Sequence, residues 1–275
     1  MVIPHLVETE RAYAKVNLYL DVLSKRDDGY HNIVGLFQTI DLYDLIEFHM
    51  TDEPGKITIQ THANIMGMNL IEKAYRIASE YYKIDFGLKV RLFKNIPMGS
   101  GLGGGSADAA ATIRFLARIL NMSDEAMMQI AERVGSDVPF LLRGGTALVE
   151  GKGEKITFLE PITGYSLNLF CSQVSISTAL MYQKLTEDMY NKGPKPVEEL
   201  YEAYRIADLH GVRSLSYNIF QKMVCAEHAE VKNNLDKAWT ENPIIAMMTG
   251  TGSCVFSVHR TGGRYKFIAG SPNSL

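Results

Sequence analysis

Hydrophobic and polar residues alternate along the first part of the chain. Within residues 12–20, the even-numbered positions from Ala14 to Leu20 are apolar, whereas Lys15 and Asn17 stand at odd-numbered positions. A period of two predicts a strand with one buried face and one exposed face. Comparable strand patterns follow at 32–48, 56–60 and 87–96.

Helical periodicity replaces this alternation in three places. Residues 69–82 carry apolar side chains at the spacing of one helix face. A second helix is predicted from Ser106 to Asn121, and its few polar positions indicate that it is mostly buried. A third begins after the N-cap Ser123 and stops at Gly135, and the segment SDVPFLL then starts a further element.

The pattern returns to strands in the second half of the chain. GGTALVEGKGEKITFL predicts a hairpin, and SLNLF predicts a strand that opens a second domain. We therefore divide the chain into an N-terminal domain, 1–153, and a C-terminal domain, 154–275. A polar loop at 191–196 precedes the helical segment VEELYEAYRIADLH, and a glycine turn leads into the last clear strand, CVFSV.

Composition narrows the class of protein. The chain has 275 residues, of which 46% are hydrophobic, so it can bury a substantial core. Its 28 basic and 31 acidic side chains give a charge of −3, which argues against a nucleic-acid partner. No apolar run is long enough for a bilayer, and MVIPHLVETERAY has no leader pattern, so we expect a cytoplasmic protein without membrane contact. Nothing in the sequence specifies an oligomeric state.

The cysteines show no spacing typical of a disulfide framework or a metal site. Cys171, Cys225 and Cys254 are odd in number and form no C-x-x-C pair. The spacing predicts neither a disulfide nor a structural zinc site, and we expect three small buried hydrophobic side chains.

The segment PMGSGLGGGSA lies between a predicted strand and a predicted buried helix. This order puts free backbone N–H groups at a helix N-terminus, where the helix dipole favours an anion. The consecutive residues Gly103, Gly104 and Gly105 let those amides approach phosphate oxygens without an intervening Cβ, and Ser106 is the predicted N-cap. The pattern favours phosphate binding over a plain flexible turn.

Other phosphate-binding motifs fit this loop poorly. Gly99, Gly101 and Gly104 match G-x-G-x-x-G, but the acid some 20 residues on, Asp124, follows a helix N-cap instead of ending a strand. That argues against a nicotinamide-dependent oxidoreductase. The loop has no lysine before its serine, which excludes a Walker A loop.

Four groups of segments carry a family resemblance: AYAKVNLYL with RDDGYH, PMGSGLGGGSADAA, GSDVPF with GGTALVEGKGE, and TGTGSCVF. In this order, from about residue 11 to 258, the chain resembles the 4-diphosphocytidyl-2-C-methyl-D-erythritol kinases, in the small-molecule kinase superfamily of galactokinase, homoserine kinase and mevalonate kinase. It departs from the family pattern at Asn218-Ile219-Phe220, where members usually carry Asn-Asp. The resemblance implies an α+β, two-domain small-molecule kinase fold with the active site in the interdomain cleft.

The resemblance also implies a reaction. The γ-phosphoryl group of ATP, with Mg²⁺ as its companion ion, would pass to the 2-hydroxyl of 4-diphosphocytidyl-2-C-methyl-D-erythritol, giving the 2-phosphate and ADP in the non-mevalonate isoprenoid pathway. The alternatives are another alcohol kinase of the superfamily, of the homoserine or mevalonate type, or a non-catalytic nucleotide sensor. A sensor has no need of both Lys15 and Asp137, which argues against it.

Site residues follow from the family's motifs. Asp137 would be the catalytic base and Lys15 the catalytic lysine. Asn69 and Lys94 would lie near the adenine of ATP. The triphosphate would be bound by the loop of Pro97, Met98, Gly99, Ser100, Gly101, Leu102, Gly103, Gly104, Gly105, Ser106 and Ala107. The substrate would be bound by Asn17, Tyr30, His31, Tyr182 and Gly250.

Without the family, several of these residues have ordinary structural roles. Lys15 would be a solvated lysine on an open strand face, and Asp137 a carboxylate at a helix start. Tyr182 could equally belong to the core, Gly250 to a strand-entry turn, and Ser106 only to a helix cap.

Overall fold

Two long antiparallel strands form the centre of the fold. The computed structural model describes residues 7–63 and 68–270, so residues 1–6, where no leader is predicted, lie outside it. The strands are β1 (Val7–Lys25), β2 (His31–Thr51), β3 (Ile57–Thr61), β4 (Gly87–Phe93), β5 (Thr146–Gly151), β6 (Lys155–Leu159), β7 (Ser166–Phe170), β8 (Tyr217–Asn218), β9 (Ile245–Met248), β10 (Val255–His259) and β11 (Tyr265–Lys266).

These strands form two sheets. The first has the order β3-β4-β2-β1-β8, with β5 paired to the N-terminal part of β2 and β6 paired to β5. The second has the order β11-β7-β10-β9. The hairpin predicted from GGTALVEGKGEKITFL is therefore confirmed, as is the strand SLNLF.

The helices cover these sheets. They are α1 (Leu70–Tyr81), α2 (Gly104–Leu120), α3 (Asp124–Val134), α4 (Val138–Arg143), α5 (Thr178–Gln183), α6 (Val197–Arg205), α7 (Leu209–Leu215), α8 (Gln221–Glu227) and α9 (Ala229–Thr240). Among the residues that the structure describes, no helix could cross a membrane. The caps predicted at Ser123 and Gly135 bound α3 as expected. The single helical segment expected before residue 210 is divided, because Ala207 adopts a positive φ of 57° between α6 and α7.

The prediction of a half-exposed first strand is wrong. From Ala12 to Val22 both faces of β1 are buried, and Lys15 and Asn17 are only 3% and 1% exposed. Helix α2 packs against the first sheet, where the rings of Phe48 and Phe115 stack at 4.4 Å. Residues far along the chain also contact β1 and bury its second face. The alternation of apolar and polar residues within one segment carries no information about such distant contacts.

The boundary at residues 153 and 154 stays a prediction. The first sheet continues past it, since β6 ends at Leu159. The sheet also gains β8, which pairs in parallel with β1 through Tyr19 and Leu20. The two halves of the chain are thus joined within one sheet.

The expectation of three unpaired cysteines is wrong. Cys171 and Cys254 form a disulfide, whereas Cys225 keeps a half-buried free thiol. Val255 pairs with Phe170 in the antiparallel β7–β10 ladder, so the register continues to the two cysteines 83 residues apart in sequence. Sequence spacing alone carries no information about that register.

Candidate active site

The glycine-rich segment forms a loop that turns directly into α2. Gly99, Gly101 and Gly103 all have positive φ, between 63° and 79°. Gly103 is the N-cap, and its carbonyl accepts a 2.8 Å hydrogen bond from the N–H of Ala107. The helix therefore begins at Gly104, and the prediction of Ser106 as N-cap is wrong: Ser106 lies within the first turn. The glycine conformations leave the first amides of the helix without a covering side chain.

A second glycine turn, residues 249–253 between β9 and β10, braces this loop. The N–H groups of Ser253 and Cys254 donate to the carbonyls of Gly99 and Ser100 at 3.3 and 3.1 Å. A Cβ built on Gly101 would lie 2.2 Å from the carbonyl oxygen of Thr249. The two turns therefore pack backbone against backbone, which only glycine permits at that point.

Lys15 and Asp137 lie next to each other, as the family resemblance leads us to expect. Lys15 Nζ is 3.5 Å from Asp137 Oδ2, with side-chain exposures of 4% and 31%. Lys15 comes from β1, and its aliphatic chain packs 3.2 Å from the Cβ position of Gly103. Asp137 is the residue before α4, and its side chain makes no capping hydrogen bond there. The interpretation of Lys15 as a solvated surface lysine is wrong, and the carboxylate of Asp137 is free to face a ligand.

One cavity of about 870 Å³ collects the candidate residues. It is lined by every predicted site residue except Leu102 and Ala107, which are buried beneath the loop. Carboxylate and hydroxyl groups, lysine ammonium groups and the glycine-rich loop thus line the same cavity, which suits a charged ligand.

Aromatic rings form the other end of this cavity. The ring centroids of His31 and Tyr182 are 5.2 Å apart, and Tyr182 also packs edge-on against Phe220 at 4.9 Å. Tyr30 remains 58% exposed at the rim. Burial, and then the positive charge of Lys25, lower the pKa of His31, so its imidazole is neutral near pH 7 and can both donate and accept. Burial, with a smaller effect of the Asp137 charge, raises the pKa of Tyr182 and keeps its phenol neutral.

Known proteins resemble this chain along nearly its whole length. Residues 69–145 match the family model described as GHMP kinases N terminal domain. A 4-diphosphocytidyl-2-C-methyl-D-erythritol kinase of Pseudothermotoga lettingae is 56% identical over 268 residues, covering 98% of each chain. The protein of the same description from Thermotoga maritima is 46% identical over 260 residues, covering 94% of this chain and 95% of its own.

Solved structures agree with these relatives. A crystal structure of 4-(cytidine 5'-diphospho)-2C-methyl-D-erythritol kinase has a TM-score of 0.76 at 29% identity, covering 91% of this chain and 89% of its own. The chain belongs to the 4-diphosphocytidyl-2-C-methyl-D-erythritol kinase family. A homoserine kinase structure from Cytophaga hutchinsonii, with a TM-score of 0.70 at 18% identity and coverage of 95% and 87%, shares the fold. The predicted two-domain small-molecule kinase fold is confirmed, and the protein is a kinase that transfers phosphate to an alcohol.

Asn69 and Lys94, the two residues expected near the adenine, both bond to other residues of this protein. Asn69 caps α1 by accepting a 2.9 Å hydrogen bond from the N–H of Ile71. Lys94, whose side chain is 7% exposed, forms ion pairs with Asp44 and, at 2.8 Å, with Asp108. Burial lowers the pKa of Lys94, but the two carboxylates outweigh that effect and raise it overall, so the ammonium stays charged.

Asp108 is a cavity-lining residue that the sequence analysis did not single out. Burial raises the pKa of its carboxyl group, against the opposing effect of the Lys94 charge. Its Oδ1 atom has no hydrogen-bond partner among the described residues. The sequence did carry a signal for Asp108, because a charged residue within a helix that is predicted to be mostly buried needs a partner or a function. Asp44, on β2, carried no comparable signal.

The segment that departs from the family pattern supports the second glycine turn. The Asn218 amide donates to the carbonyls of Met248 and Gly250 at 2.7 and 2.9 Å. Gly250 itself faces the cavity, and its Cβ position is 3.2 Å from the backbone of Gly101. Asn218 therefore stabilises the turn without lining the cavity.

Proposed function

We propose that this protein transfers the γ-phosphoryl group of ATP to the 2-hydroxyl of 4-diphosphocytidyl-2-C-methyl-D-erythritol, giving the 2-phosphate and ADP. The family assignment supports the reaction class and the substrate. The observation that carries the mechanism is the pairing of Lys15 and Asp137 at 3.5 Å beside a loop of bare backbone amides. We place the reaction in the cytoplasm as a step of the non-mevalonate isoprenoid pathway.

Main-chain groups hold the nucleotide in this proposal. Within residues 97–107, Gly104, Gly105 and Ser106 form the first turn of α2, where backbone N–H groups have no intrahelical partner and the helix dipole adds partial positive charge, so they would stabilise the triphosphate. Asn69 and Lys94 border the cavity where the adenine would lie. The Lys94 ammonium forms ion pairs with the carboxylates of Asp44 and Asp108. Its charge therefore stabilises the contact between β2 and α2 more than it neutralises the charge of a bound phosphate.

Asp137 and Lys15 act on the acceptor alcohol. Phosphoryl transfer needs mainly positioning and charge neutralisation, with a carboxylate to orient the hydroxyl and take its proton. As the substrate oxygen bonds to the γ-phosphorus, the bond to the bridging oxygen breaks, ADP leaves, and the proton passes to Asp137. Lys15, whose Nζ lies 3.5 Å from Asp137 Oδ2, would neutralise charge on the transferred group.

Mg²⁺ accompanies ATP in the proposal. No group of three or more His, Cys, Asp or Glu side chains able to hold a metal occurs within residues 7–63 and 68–270. The cavity does offer oxygen donors of the kind that Mg²⁺ prefers, among them the hydroxyl of Ser106. That hydroxyl, together with phosphate oxygens and water, would hold the ion, which would neutralise phosphate charge.

The aromatic end would bind the cytosine. His31 can donate to and accept from a pyrimidine edge, and Tyr30 and Tyr182 provide ring faces for stacking. Asn17 and Gly250 line the same cavity, and Gly250 packs against Gly101 of the phosphate loop, so the methylerythritol would be held there. Homoserine and mevalonate have no base to occupy the aromatic end, so we expect both to be poor substrates.

Two substitutions test the mechanism. Asp137→Asn removes the base and Lys15→Ala removes the charge, so each should lower kcat by about 10²–10⁴-fold while ATP still binds in a calorimetric titration. Asp124→Asn, at the exposed start of α3, and Lys89→Ala, on the exposed face of β4, are the matched controls. Near-normal turnover in both site variants would contradict the proposal. Phosphorylation of homoserine or mevalonate, but not of the cytidylylated alcohol, would overturn the substrate.

A further inference from the structure

Asn17 holds the Lys15 ammonium. Lys15 Nζ donates to Asn17 Oδ1 at 2.9 Å, closer than the 3.5 Å that separates it from Asp137 Oδ2. Both residues lie on the same face of β1 and are almost fully buried. The direction of the ammonium therefore depends on the orientation of the Asn17 amide.

That orientation depends in turn on Thr249, 232 residues away in sequence. The Asn17 N–H donates to Thr249 Oγ1 at 3.1 Å, and Thr249 Oγ1 lies 3.2 Å from Asn17 Oδ1, to which it donates. A hydroxyl has one proton, and the Gly101 carbonyl at 3.4 Å is the more distant acceptor. The hydroxyl thus bonds both the backbone and the side chain of Asn17 and fixes the rotamer of that residue.

We propose that Thr249 is a positioning residue for phosphoryl transfer, whose hydroxyl holds the Asn17 amide so that the Lys15 ammonium faces Asp137. This inference rests on the proposed function, in which Lys15 and Asp137 take part in phosphoryl transfer. Thr249 is 0% exposed and does not line the cavity, so it acts through Asn17 and not on a ligand.

The backbone of Thr249 has a separate role. Its N–H donates to the Cys254 carbonyl at 3.0 Å, and its carbonyl accepts from the Gly252 N–H at 3.0 Å. These bonds build the second glycine turn and do not involve the hydroxyl. A substitution that removes only the hydroxyl can therefore separate positioning of Lys15 from support of the phosphate loop.

The test compares Thr249→Val, which loses the hydroxyl, with Thr249→Ser, which keeps it. Thr146→Val is the matched control: Thr146 is 1% exposed, and its hydroxyl also makes two hydrogen bonds, to Gln38 Oε1 at 2.6 Å and from the Ile162 N–H at 3.0 Å. We expect Thr249→Val to lower kcat about tenfold, with the KM for ATP within about twofold of wild type. Thr249→Ser should recover most of the rate, and Thr146→Val should keep the wild-type kcat.

Two kinetic outcomes would overturn the inference. One is an unchanged kcat in Thr249→Val. The other is a raised KM for ATP with an unchanged kcat, which would make the hydroxyl a support of the phosphate loop. Asn17→Ala provides a further check, because adding Thr249→Val to it should cost nothing more if Thr249 acts through Asn17.

Crystal structures of wild type and Thr249→Val give a result that does not depend on the substrate. We expect a rotated Asn17 amide and a Lys15–Asp137 separation longer than 3.5 Å in the variant. An unchanged arrangement would refute the positioning role even if the enzyme is active. Absence of turnover by wild type with the cytidylylated alcohol would instead refute the proposed function, while the structural comparison would still decide the role of Thr249.

Discussion

Replacing Gly101 with alanine tests the contact between the two glycine turns. Gly101 has a φ of +79°, a region that costs an L-residue roughly 1–2 kcal/mol. The new Cβ would also lie 2.2 Å from the Thr249 carbonyl oxygen and 3.2 Å from that of Gly252. Ordinary van der Waals contact begins at 3.4 Å, so the turns must separate by about 1 Å, a displacement that can cost about 10²-fold in rate.

Gly262→Ala is the matched control for this substitution. Gly262 has a similar φ of +85°, but its Cβ position meets no atom within 4 Å. It should therefore lose only the backbone conformational energy, which corresponds to a Tm lower by roughly 2–4 °C for each kcal/mol. Gly101→Ala should lose more, because it adds the steric clash.

Calorimetric unfolding and an ADP-release assay measure the two effects. We expect Gly101→Ala to be about 100-fold slower than wild type and Gly262→Ala to be unchanged in rate. A wild-type kcat in Gly101→Ala, together with a Tm equal to that of Gly262→Ala, would refute the steric clash between the two turns.

Two further predictions concern charge. Lys94→Met leaves the Asp44 and Asp108 carboxylates buried without a counter-ion, so the unfolding free energy should fall by about 3–5 kcal/mol; an unchanged denaturation midpoint would contradict this. Because burial and Lys25 lower the pKa of His31, the unfolded chain binds its proton more readily, and the unfolding free energy should decrease as the pH falls below 6.5. His31→Gln should reduce that slope in urea titrations at several pH values, and identical slopes in both proteins would argue against the assignment.

Local chemistry made much of the fold predictable. The start of α3 follows from Ser123, because its hydroxyl accepts a hydrogen bond from the Ala126 N–H within the first helical turn. The phosphate loop was recognisable for the same reason, since positive φ at Gly99, Gly101 and Gly103 is a property of glycine itself.

Other features depend on residues brought together only by folding. The burial of Lys15 requires Asn17, Asp137 and the glycine loop to meet around one ammonium. The Cys171–Cys254 bond likewise requires the register of the second sheet. Family motifs identified Lys15 and Asp137 as a pair, whereas the residues that orient them, Thr249 above all, became visible only with the tertiary structure.

The return of β8 to the first sheet restricts how this fold can recombine. After β6 the chain leaves the first sheet, and it comes back at Tyr217–Asn218 before β9 begins. A chimera with a crossover after Leu159 would exchange the C-terminal half together with β8, an edge strand of the first sheet. The exchange would include Asn218, whose amide donates to the second glycine turn. Gene fragments cut there are therefore not independent modules, and homologous exchange should succeed only between parents whose β1 and β8 are compatible.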